Sequence, residues 1–157
     1  DSFVRREQRT AQAQSHYQRH RQKEREAGER QNQWLKEVYL PVNKLINSII
    51  NPLEAEIESL SGDPFDDELM SLFQSYLENC RDNFDRAQQI FASQPNPSKL
   101  ASVAASVYYC LDRVSDGIKE LEWYTYNYDD SYLHTGKELF RIARSLHRES
   151  QRDARRV

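Results

Sequence analysis

Phe91-Ala92-Ser93-Gln94-Pro95-Asn96-Pro97-Ser98-Lys99-Leu100 is the passage that decides how this chain folds. Two prolines this close cannot continue a helix, because each lacks a backbone N–H and its ring collides with the carbonyl four residues earlier. On both sides, apolar residues recur every three or four positions. Upstream run Phe65, Leu69, Leu72, Phe73, Tyr76, Cys80, Phe84, Ala87 and Phe91; downstream run Leu100, Val103, Ala104, Val107, Leu111, Val114, Ile118 and Leu121. That period belongs to helices with one buried face. The passage therefore reads as the turn of a helical hairpin, with arms over roughly 64–93 and 97–126, Asn96 as cap and Pro97 as first helical residue.

The same punctuation recurs outward. Ser61-Gly62-Asp63-Pro64 ends one helix and opens the next, with Asp63 the expected cap. Before it, Leu35, Val38, Val42, Leu45, Ile49, Leu53, Ile57 and Leu60 form a stripe interrupted by Pro41 and Pro52. A kink or short break is expected at each. After Tyr126-Asn127-Tyr128-Asp129-Asp130 comes a last segment, about 130–156, expected to bury Leu133, Leu139, Phe140, Ala143 and Leu146. The fold class is all-α. Helices of about 25–30 residues with short loops predict an up-down-up-down antiparallel four-helix bundle over residues 34–157. Residues 1–33 are rich in Arg, Gln and Glu, contain no proline and lack a stripe. They predict a long polar helical arm that protrudes or docks on another chain.

The formal net charge of −3 conceals a division. The arm sums to +3, residues 34–140 to −10 and residues 141–157 to +4. In an up-down-up-down bundle both termini share one end. That end becomes a basic foot, with Arg5, Arg6, Arg9, Arg148, Arg152, Arg155 and Arg156 as candidates for an anionic surface such as acidic lipid. The opposite end is acidic and aromatic, with Trp123, Tyr124, Tyr126, Tyr128 and Tyr132 as the candidate partner surface. Tyr and Trp are favoured at interfaces, and ten residues of helix and turn cannot bury all five. Nucleic acid is disfavoured as a partner by the acidic body.

Chemistry-bearing patterns are sparse. Cys80 and Cys110 lie equally far from Pro95, which predicts matching heights on adjacent helices and reduced, buried thiols. His16, His20 and Glu24 share one helix face but belong to the exposed arm, so no metal is expected there. No phosphate loop, nucleophile elbow or zinc spacing occurs, and no cofactor is expected. Arg141 and His147 are separated by five residues, a spacing that resembles the Arg-to-His motif of HEPN-family ribonucleases. The resemblance covers these two residues, and Ile142 stands where the family often has a polar side chain. It implies that Arg141 holds a scissile phosphate and His147 assists proton transfer, with a second copy supplied by a dimer partner.

The leading reading is a non-enzymatic helical-bundle module for interaction or regulation, binding a protein partner or self-associating through the arm. It extends to the cytoplasmic part of a membrane-anchored protein, with the anchor upstream of Asp1. The alternatives are a HEPN-like ribonuclease and a ligand-sensing four-helix receptor domain.

Overall fold

The computed structural model describes residues 2–157; Asp1, the first residue of the expected arm, lies outside them. The helices are α1 (Ser2–Trp34), α2 (Leu40–Ile50), α3 (Leu53–Ser61), α4 (Asp67–Phe91), α5 (Ala101–Asn127) and α6 (Asp130–Arg155). Among the described residues there is no strand. α2 and α3 run up as one interrupted rod, α4 returns, α5 rises and α6 descends. Cross-links at both ends fix this order. At the foot, Gln94 Nε2 donates to Glu37 Oε2 at 2.6 Å and Ser102 Oγ donates to Asp153 Oδ2 at 2.9 Å. At the head, the rings of Phe65 and Tyr128 stack at 5.2 Å.

Both expected interruptions of the first rod are present. Residues Leu35–Tyr39 form a π-helical turn, in which the Leu40 N–H reaches back to the Leu35 carbonyl. The cause is Pro41, whose ring would collide with the carbonyl of Glu37 in a regular helix; the wider turn relieves that contact. Asn51 and Pro52 form a turn between α2 and α3. The bulge also shifts the stripe. Trp34, Tyr39, Ile46 and Ile50 are buried, whereas Leu35 and Leu45 only flank the core.

Two helix starts differ from the expected ones. The Asp63 carboxylate accepts from Phe65 N at 3.1 Å and so caps a turn, and Asp66 is the helix cap, accepting from Glu68 N and Leu69 N. α4 therefore begins three residues later than the Asp63-Pro64 pair suggests. Phe65 and Leu72, expected in the core, are instead 75% and 59% exposed. Likewise Pro97 is extended, and a single 3₁₀ turn over Ser98–Leu100 precedes α5.

α5 and α6 pack most closely, and two glycines explain why. A Cβ on Gly117 would lie 2.5 Å from Cδ1 of Phe140, and one on Gly136 would lie 2.6 Å from Cδ2 of Leu121. Each helix thus admits a large partner side chain against its bare backbone. The core continues through Val38, Ile49, Phe73, Cys110, Val114 and Ile118.

The hairpin register differs from one centred on Pro95. Arg81 pairs with Glu122 at 2.5 Å, which sets Cys80 level with the far part of α5. Cys110 lies twelve residues before Glu122, about 18 Å along the helix at 1.5 Å per residue. The two thiols are therefore not at matching heights. The 3₁₀ turn moves the centre of the hairpin past Pro95. Both cysteines are free and buried.

Candidate functional site

The aromatic head divides into buried and exposed members. Tyr124 is 3% exposed and plugs the end of the bundle, and Tyr132 packs partly against the core. Trp123, Tyr126 and Tyr128 are 56%, 77% and 39% exposed. Trp123 and Tyr126 are three residues apart on α5 and share a side of the helix. Phe65, which sequence reasoning put in the core, joins them through its stack on Tyr128.

Tyr128 is the one non-glycine residue with positive φ among the described residues, at 55°. It ends α5, its N–H donating to the Tyr124 carbonyl at 2.8 Å. Glycine or asparagine usually takes this left-handed position, and a bulky side chain there costs about 1 kcal/mol or more. The cost is offset by stacking on Phe65 and edge contact with Tyr124 at 6.4 Å. Acids surround the group. Asp66 and Asp129 cap α4 and α6, and the backbone N–H of Ser131 holds the Asp129 carboxyl below the usual carboxylate range.

A second aromatic surface was missed from the sequence. Tyr108 and Tyr109 are 58% and 52% exposed, and their rings meet edge to face at 5.4 Å. Tyr108 lines a groove that also takes in Phe91, Pro95 and Leu111. The only signal of the two tyrosines was negative, since neither belongs to the stripe of α5.

Arg141 and His147 do not converge. The Arg141 guanidinium is exposed and bonded to both oxygens of Glu138, at 3.0 Å from Nε to Oε2. His147 is 5% exposed, and its Nε2 lies 2.9 Å from Asn47 Oδ1. Burial holds its pKa below the ordinary imidazole value. The ring is thus enclosed, whereas the guanidinium six residues earlier is exposed and taken by Glu138. Past Leu146, where the apolar stripe ends, α6 is still packed. His147 and Ser150 are buried, with Ser150 Oγ donating to the His147 carbonyl at 2.7 Å. The spacing Ala143, His147, Ser150, Ala154 continued the stripe in small and polar residues, which was the available signal. Near this end the core leaves Trp34 Nε1, Asn43 Oδ1 and His147 Nδ1 without partners.

The basic candidates fall into two places. Arg148, Arg152, Arg155 and Arg156 are exposed at the end of α6. Arg5, Arg6 and Arg9 are exposed near the far end of α1, separated from the bundle by about 40 Å of helix. They do not form one patch, because the arm projects instead of folding back. His20 pairs with Glu24 at 3.0 Å on the exposed arm. Among the described residues, no three His, Cys, Asp or Glu side chains converge to hold a metal ion, and no helix is long and apolar enough to cross a membrane. Burial pushes both cysteine thiols up to about 12, so neither is a nucleophile near neutral pH.

A family model described as the C-terminal domain of the cyanobacterial DnaJ chaperone matches residues 26–157. Neither a curated protein nor a solved structure matches. The match takes in the whole bundle and begins within α1.

Proposed function

Because the chain belongs to the family of cyanobacterial DnaJ chaperone C-terminal domains, we propose that it is a non-enzymatic protein-docking module of a DnaJ-type chaperone, with the aromatic head as the contact surface. The observation that carries this reading is the outward display of Trp123, Tyr126 and Phe65 at one end of the bundle, at 56%, 77% and 75% exposure. Tyr and Trp supply large contact area at little entropic cost, and the acids around them suit a polypeptide with basic and apolar residues.

The test is titration of the domain with a permanently unfolded model polypeptide of basic net charge. Binding is expected, and replacing Trp123 and Tyr126 together with Ser should weaken it by about 2 kcal/mol or more, the scale of interface anchors. Equal affinity of the double variant would sink the proposal.

A second reading rests on the four exposed arginines at the end of α6, which suit an anionic surface.

A further inference from the structure

The cleft between α3 and the middle of α6 contains none of the head aromatics and is built differently. Leu53 and Ile57 from α3 and Phe140 from α6 form its floor, at 4%, 8% and 2% exposure. Lys137, Arg141 and Arg144 line it from α6, with His134 one turn nearer the head. The hollow measures about 290 Å³, room for one or two apolar side chains.

The charged side chains that line it are mainly basic. Glu54 and Glu138 also line the cleft, but Glu138 is taken by Arg141 and held below the usual carboxylate range by that contact. Three basic residues against two acids leave the cleft net positive; Lys137 belongs to the acidic stretch 34–140, while Arg141 and Arg144 open the basic stretch 141–157, which sums to +4. Lys137, Arg141, Arg144 and Arg148 follow at steps of four, three and four residues, which lays them in one stripe along α6. The stripe runs about 16 Å, three turns of helix.

An apolar floor beside a cationic stripe three turns long selects a particular ligand chemistry. Apolar side chains at three- and four-residue spacing would enter the hollow, and Asp or Glu beside them would meet the stripe. We infer that the α3–α6 cleft docks an acidic amphipathic helix of a partner protein. Charge complementarity sets its orientation and discriminates against basic segments of the kind the head accepts. A nucleic-acid strand fits less well, since its phosphates have no use for the apolar floor. The site does not depend on the head, so the two can be tested separately.

The experiment is fluorescence anisotropy of the whole chain with a labelled fifteen-residue helical peptide, carrying Leu and Phe on one face flanked by Asp and Glu. The acidic peptide should bind, and more weakly as salt rises. Lys137→Glu should weaken binding about fivefold and Glu54→Lys should strengthen it by a similar factor, the scale of exposed charge pairs. Both positions are exposed, so helix content by circular dichroism should not change. Trp123→Ser should leave this affinity unchanged, which separates the cleft from the head. The inference is overturned if a version of the peptide with Lys for each acid binds equally well. It is also overturned if Lys137→Glu and Glu54→Lys both leave affinity unchanged, or if acidic-lipid vesicles respond to these two variants while the peptide does not bind.

Discussion

Single residues set how tightly this bundle closes. Phe140 and Leu121, the side chains facing Gly117 and Gly136, are 2% and 0% exposed and have no room to move aside. Gly117→Ala and Gly136→Ala should therefore each destabilise the fold by about 1–3 kcal/mol, the usual cost of overpacking, read as a lower urea midpoint. Gly28 has nothing within 4 Å of its would-be Cβ, so Gly28→Ala should raise helix content at 222 nm without shifting that midpoint. His147 gives the bundle a pH dependence. Its folded pKa lies below the ordinary value because burial disfavours the charged ring. The unfolded chain therefore binds the proton more readily, and stability is complete above the unfolded pKa of about 6.5 and falls as pH drops below it. Acidification from pH 7 to 5.5 should lower the melting temperature of the native chain more than that of His147→Gln; equal shifts would show that the ring contributes nothing. None of this was legible in advance. A glycine in a helical pattern reads as a weak point, and the partners that give it meaning lie on another helix. Asn47 and His147 are 100 residues apart, and no local pattern joins them.

At the scale of elements the sequence was readable wherever one signal acted alone. The stripe of α5 lies where its spacing put it, because no competing cap or proline interferes inside it. The failures came where two signals competed. Asp63-Pro64 and Asp66 are both plausible helix starts, and the choice of Asp66 turned Phe65 from core into surface. The 3₁₀ turn before α5 displaced the hairpin centre and with it the height of Cys110. α1 is the element least supported by the rest of the chain, with Trp34 its one buried residue. Brief trypsin treatment should cut within residues 5–30 and leave a bundle whose melting temperature is unchanged, because exposed backbone hydrogen bonds open most easily. Resistance of that stretch in a dilute sample would mean that something covers the arm.

Across the whole molecule, charge and shape divide the ends. Arg148, Arg152, Arg155 and Arg156 stand in the foot, while the exposed aromatics and their acids stand in the head. Vesicles with acidic lipid should retain the domain at low salt and release it as the Debye length shrinks from about 10 Å at 0.1 M. Replacing those four arginines with Gln should abolish retention, and unchanged retention would remove the foot from consideration. The sequence announced this division through its charge blocks and the stripe-free arm, but a protruding arm carries Arg5, Arg6 and Arg9 away from the foot to which their charge assigned them. The π-helical turn at Leu35–Tyr39 governs where they go. One surplus residue in an otherwise regular rod acts as an angular offset, like a step cut into a shaft. Removing it would turn everything ahead of it by about 100° about the helix axis. Whatever is held at the arm's far end is thereby aimed at one side of the bundle and not another.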